Sequence, residues 1–123
     1  MPSKKANKYG TAAEHHVIEQ RDLEAARCYW HDATFRNGTP VEIKSCDVDS
    51  TGYFQIYEDP HDQLLEADGW YAFAPYSRSG RGMRVLKVRM RRASKMPPLR
   101  WSSTGGHRDS RKAKVDVSRV MRS

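Results

Sequence analysis

The chain has 123 residues, 37% of them hydrophobic and 30% charged, which allows one domain with one modest core and excludes any large multidomain assembly. No run approaches the eighteen or so apolar residues that span a bilayer, and the basic N-terminus MPSKKANKYG has no apolar segment behind it; a soluble, intracellular protein of the cytoplasm is expected. The net charge of +7 hides a division: residues 1–77 carry a net −6 and residues 78–123 a net +13, an acidic part joined to a basic part that would suit a polyanion.

Thr11 followed by Glu14 fits a capping box, and the residues after it are good helix formers without Gly or Pro. The spacing predicts a helix over about 12–28, with Ala13, Val17, Ile18, Ala25 and Ala26 in one core-facing stripe that also holds Glu14 and Arg21. Two strands follow at about 30–36 and 40–46, joined at Asn37-Gly38, where both residues tolerate a tight turn. GYFQIY makes a third strand at about 53–57. Asp59 as N-cap, Pro60 at the first helical position and Gly69 as terminator predict a short helix at about 60–68.

WYAFAPY is an apolar strand, SRSGRG a loop, and MRVLKVRMRR a strand studded with basic residues. After Pro97 and Pro98 periodicity fades, so residues 96–123 are read as a basic extension, with one short element near Lys114 to Met121, on a domain of residues 1–95. Helix, strand, strand, strand, helix, strand, strand is an α/β order: a mixed central sheet of about five strands flanked by helices. The strands on either side of the second helix, 53–57 and 70–76, are expected to pair in parallel.

The charge pattern in the hairpin HDATFRNGTPVEIKS carries the chemistry. Glu42 and Lys44 share a strand face. Whether Asp32 joins them depends on the turn. A two-residue loop pairs residues whose numbers sum to 75 and puts Asp32 on the wrong face; a three-residue loop, with Gly38 left-handed, pairs numbers summing to 74 and sets Asp32 opposite Glu42. Two facing carboxylates repel, by up to about 1 kcal/mol, unless a hard cation such as Mg²⁺, with Mn²⁺ as substitute, sits between them.

Lys44 beside them would position or help deprotonate an attacking water, or neutralise charge on a phosphate oxygen. Glu14 reaches in from the helix in this reading, and Gln55 orients a water or contacts phosphate, so that the hairpin has one wet face beneath the first helix. The alternatives are structural: Glu14 as a capping residue, Asp32, Glu42 and Lys44 as solvated surface charges, Gln55 as a hydrogen-bonding residue of the sheet. Cys28 and Cys46 lack metal or disulfide spacing and are read as buried or half-buried hydrophobes; the five histidines lack zinc-type spacing and are read as surface or flanking residues; Tyr53, Tyr57, Tyr71 and Tyr76 are read as core and rim rather than a stacking platform.

Asp32, nine residues, then Glu42-Ile43-Lys44 resembles the PD-(D/E)XK nuclease superfamily, with His31 where the family name has proline. The order of elements resembles it too, over residues 8–90, and the compact layout with a helix glutamate and a Gln-bearing third strand looks most like the archaeal Holliday-junction resolvase group. That resemblance implies a restriction-endonuclease-like core and a metal-dependent DNA endonuclease, structure-selective and dimeric, of the kind used in recombination and repair and associated with the nucleoid. It implies Asp32 and Glu42 as metal ligands, Lys44 as the catalytic lysine, and Glu14 and Gln55 as accessory catalytic residues.

Contacts with the DNA backbone would come from Arg78, Arg81, Arg84, Lys87, Arg89, Arg91, Arg92, Arg111, Lys112 and Lys114, through phosphate charge rather than base identity. The alternatives are a catalytically silent nuclease fold that only binds nucleic acid, and a basic structural or chaperone-like protein whose two oppositely charged parts pair with each other.

Overall fold

The computed structural model describes residues 4–103 and 111–121. Helix α1 spans Lys4–Gln20, followed by strands β1 (Glu24–Ala25), β2 (Ala33–Thr34), β3 (Pro40–Asp47) and β4 (Tyr53–Tyr57), helix α2 (Glu58–Glu66), strands β5 (Trp70–Ser79), β6 (Gly82–Val85), β7 (Arg89–Arg92) and β8 (Lys112–Asp116), and the short helix α3 (Val117–Val120). Six strands form a mixed sheet in the order β1-β2-β3-β5-β6, with β7 also on β5, and β4 and β8 form a separate two-stranded ribbon.

Helix α1 keeps the predicted apolar phase, with Ala13 and Val17 fully buried, but lies eight residues further towards the N-terminus than expected. Thr11 is inside it rather than capping it. It stops because Asp22 turns left-handed (φ 53°) and the Leu23 N–H reaches back to the Ile18 carbonyl at 2.9 Å, the six-to-one bond of a Schellman ending. Ala25 therefore lies exposed in β1. Helix α2 ends in the same way: Asp68 is left-handed (φ 52°), and Gly69 donates to the Leu64 carbonyl at 2.7 Å. A Cβ on Gly69 would lie 2.6 Å from Leu64 Cδ2 and 3.1 Å from the Pro40 carbonyl oxygen, so this position needs glycine for close approach.

The expected parallel pairing of β4 with β5 is replaced by another. β5 runs parallel to β3, from Val41↔Trp70 to Asp47↔Tyr76, so the chain leaves β3 and crosses back through β4 and α2. β4 pairs instead with β8, antiparallel, from Tyr53↔Asp116 to Tyr57↔Lys112. The reason is packing. Phe54 and Ile56, 0% and 1% exposed, lay the ribbon face-on against the sheet, with the Phe54 and Phe73 ring centroids 4.8 Å apart.

Residues 112–121 are thus not an appendage: Ala113, Val115 and Val120 are buried, Val115 and Val120 in one cluster with Phe54, Ile56, Leu64, Tyr71 and Phe73. α1 covers the opposite face of the sheet, over Val41, Ala72 and Ala74. The predicted strand MRVLKVRMRR is broken at 86–88 into β6 and β7, both on the same edge of β5.

Candidate active site

The hairpin register decides which side chains meet. Gly38 is left-handed (φ 90°), its N–H donates to the Phe35 carbonyl at 2.9 Å, and the Phe35 N–H donates to Thr39 at 2.9 Å. Arg36, Asn37 and Gly38 form a three-residue loop. The pairs are Ala33↔Val41 and Thr34↔Pro40, the register summing to 74, and the next residue, Asp32, donates its N–H to the Val41 carbonyl at 3.0 Å.

β2 then ends. Its ladder with β3 contains only Ala33 and Thr34, and beyond Val41 the Ile43 N–H, which a longer β2 would have paired, donates to the Asp32 carboxylate at 2.8 Å. One backbone donor thereby fixes Asp32 beside Glu42 at the edge of the sheet.

Glu42 and Lys44 are in phase with Cys46, whose side chain joins the Phe54 and Tyr71 cluster, while Val41 and Ile43 face α1 and Val17. The Glu42 and Lys44 side chains therefore project away from α1, towards β4, and the expected wet face beneath α1 becomes an edge at the end of β2. Lys44 Nζ lies 5.9 Å from the Tyr57 ring centroid, and Gln55 donates from its amide nitrogen to the Tyr57 hydroxyl at 2.8 Å. Burial, then the hydrogen bond with Asp32, push Glu42 up to about 9, with Lys44 pulling the other way and the Asp32 and Glu14 charges adding to the rise. Tyr71, opposite Glu42 in the register, is likewise pushed up, by burial first and then by the Glu42 charge.

Glu14 is brought to the site, though not as a capping residue: its carboxylate is held by Arg27, whose Nε also lies 3.8 Å from Asp32 Oδ1. The sequence reading missed Arg27, and the only signal for it was a lone cation five residues before Asp32. Among the described residues no group of three or more His, Cys, Asp or Glu side chains is arranged to hold a metal ion. The Asp32 and Glu42 pair nevertheless fits Mg²⁺, which commonly takes one or two carboxylates and keeps waters elsewhere: the Ile43 N–H holds the Asp32 carboxylate next to Glu42, and two neighbouring acidic side chains are a donor set that a cation would stabilise.

A cavity of about 480 Å³ adjoins Lys44 along β3, lined by Ser45, Cys46 and Asp47, the loop residues Ser50 and Thr51, Tyr53 and Gln55 from β4, and Tyr76 and Arg78 from β5. A smaller one of about 310 Å³, at His61, Leu65, Met96 and Trp101, contains none of the proposed site residues.

The basic side chains do not form one stripe. Arg78 pairs with buried Asp47 at 2.8 Å, Arg111 with Glu58 at 2.7 Å, and Arg92 lies 3.8 Å from Asp68 and over the Trp70 ring. Arg91 donates to the carbonyls of Lys95 and Val120. Arg89 is half-buried, its Nε without a partner among the described residues. Arg81, Arg84 and Lys87 are exposed around β6, Lys112 is half-buried, and Lys114 lies over the Tyr53 ring at 4.8 Å, directly opposite Gln55. The part of the basic tail at 104–110 lies outside the described residues.

Two smaller expectations change. His61 is buried and shares a 2.8 Å hydrogen bond with the Tyr71 hydroxyl, while Cys28 is exposed and only Cys46 is buried.

A family model for the PD-(D/E)XK nuclease superfamily domain matches residues 1–122, so this chain belongs to that superfamily, and its mixed sheet flanked by helices is a restriction-endonuclease-like core. No curated protein and no solved structure matches the chain. Among the described residues no helix is long and apolar enough to cross a membrane.

Proposed function

We propose that the protein is a Mg²⁺-dependent endodeoxyribonuclease that hydrolyses phosphodiester bonds in DNA, with a preference for branched junctions. The observation that carries this reading is the Asp32 carboxylate held by the Ile43 N–H at 2.8 Å, directly beside Glu42 and Lys44 on β3.

Asp32 and Glu42 would hold the ion, which supplies Lewis-acid charge at the scissile phosphate and a water of lowered pKa. Asp32 keeps its orientation through the Ile43 N–H. Lys44, anchored near Tyr57, aligns the attacking water and stabilises charge that develops on the phosphoryl oxygens. Gln55, fixed by the Tyr57 hydroxyl, contacts the phosphate flanking the cut. Arg81, Arg84, Lys87 and Lys114 steer and hold the backbone, and the cavity beside Ser45 and Tyr53 takes a nucleotide next to the scissile bond. A homodimer would address both strands with two such edges.

The test incubates the purified protein with a four-way junction, a linear duplex and single strands, each with Mg²⁺, Mn²⁺ or chelator. Cleavage that requires metal, favours the junction, and falls about a hundredfold or more in Glu42→Ala and Lys44→Ala is expected. Metal-independent products, or variants that cut as well as the parent, overturn the catalytic assignment. Binding without cleavage by the parent under every metal condition identifies a silent nuclease fold.

A further inference from the structure

We propose that Arg27 is an internal competitor for the metal: its guanidinium pairs with the Glu14 and Asp32 carboxylates in the resting protein and is displaced from Asp32 when a divalent cation binds at Asp32 and Glu42. The inference rests on the reading of Asp32 and Glu42 as metal ligands, and extends it to a residue outside the superfamily motif.

Three observations carry it. First, one guanidinium meets two carboxylates from different elements: Glu14 from α1 through a direct ion pair, and Asp32 with Nε to Oδ1 at 3.8 Å. Glu42 adds to the same field. Second, exposure is unequal. The Glu14 and Asp32 side chains are 13% and 17% exposed, whereas Arg27 is 67% exposed, so the carboxylates are enclosed and the cation is the group free to leave.

Third, the loop that carries Arg27 is pinned. The Ala26 N–H donates to the Asp32 carbonyl at 3.0 Å, and the Cys28 N–H to the His31 carbonyl at 2.8 Å. The backbone at Arg27 therefore stays beside Asp32 while its flexible stem can swing, so the displaced cation remains close to the site. Arg27 keeps its charge at every physiological pH, and the competition is set by metal concentration rather than by protonation. An ion pair whose cation is largely exposed is weak, so the effect is a modest tuning of metal affinity rather than a block.

Mn²⁺ binding to the full-length protein, measured by calorimetry and by electron paramagnetic resonance without nucleic acid, tests the proposal. Arg27→Ala and Arg27→Gln are expected to bind Mn²⁺ about two- to fivefold more tightly than the parent, the range that loss of one weak ion pair allows; Arg27→Lys, which keeps the charge, stays near the parent. With chelator Arg27→Ala melts below the parent, and saturating Mn²⁺ narrows the gap. Equal or weaker Mn²⁺ binding by both neutral variants, each checked for folding by circular dichroism, overturns the competitor role. Glu42→Ala separates the two readings. If it loses Mn²⁺ while the Arg27 variants match the parent, only the Arg27 inference falls; if it binds like the parent, the ligand assignment falls with it.

Discussion

Val115→Ala tests whether residues 112–121 are part of the core or a charged tail. Val115 is 2% exposed, pairs with Phe54 across the ribbon, and lies in the cluster with Leu64, Tyr71, Phe73 and Val120. Removing two buried methyl groups at about 0.8 kcal/mol each, with a contribution from the cavity left behind, costs about 2 kcal/mol. In a domain of this size that lowers Tm by about 8 °C.

Urea and thermal unfolding of the parent, Val115→Ala and the exposed neighbour Lys114→Gln measure it, the last expected to change stability by less than about 1 kcal/mol. Truncation after Arg111 leaves Phe54 and Ile56 uncovered, and the shortened chain is expected to lose its cooperative transition. A Val115→Ala change below about 0.5 kcal/mol, or a truncated chain that still melts cooperatively, refutes the core assignment.

Two further predictions concern the turn and pH. Gly38→Ala places a Cβ in open space but on a backbone at φ 90°, so its whole cost is conformational, about 1–2 kcal/mol by urea titration; a neutral result contradicts the left-handed loop that sets Asp32 against Glu42. Burial lowers the His61 pKa from its ordinary 6.5, against the pull of Asp62 and Glu58. The unfolded chain therefore takes this proton first, and the stability from neutral His61 is present above about pH 6.5 and lost as pH falls through the lowered folded value. The stability difference between the parent and His61→Gln should shrink between pH 7.5 and 5, and a constant difference rejects that linkage.

The local turn and strand phase were largely legible in the sequence and the partners at a distance were not. A three-residue loop ending in Gly38 could be recognised because only that count turns Asp32 and Glu42 to one face, and the strand period then delivered Lys44. The ends of α1 were misplaced because Thr11-x-x-Glu14 imitates a cap inside a helix and Asp22, rather than a glycine, takes the left-handed position. β8 shows in the sequence only as one short element near Lys114 to Met121 in a basic extension, since a five-residue strand with three charged positions reads as a tail until Phe54 and Ile56 are seen to need cover. The position of α1 relative to the site could not be settled by its own stripe, which says that one side is buried but not on which face of the sheet.

The charge division also means something different in three dimensions. Arg78 with Asp47, Arg111 with Glu58, Arg92 with Asp68 and Arg27 with Glu14 and Asp32 show that the two parts of the chain partly neutralise each other. The expected internal pairing and the expected nucleic-acid grip are therefore not rivals: the paired cations hold β5, the loop at β8 and the edge of β3 in place, while Arg81, Arg84 and Lys87 keep exposed charge with no acidic partner among the described residues. A short β2 completes this division of labour. Had β2 extended past Ala33 along β3, its backbone would have taken the Ile43 N–H, Asp32 would have lost the bond that aims it at Glu42, and the edge on which the proposed chemistry depends would have been closed by the sheet itself.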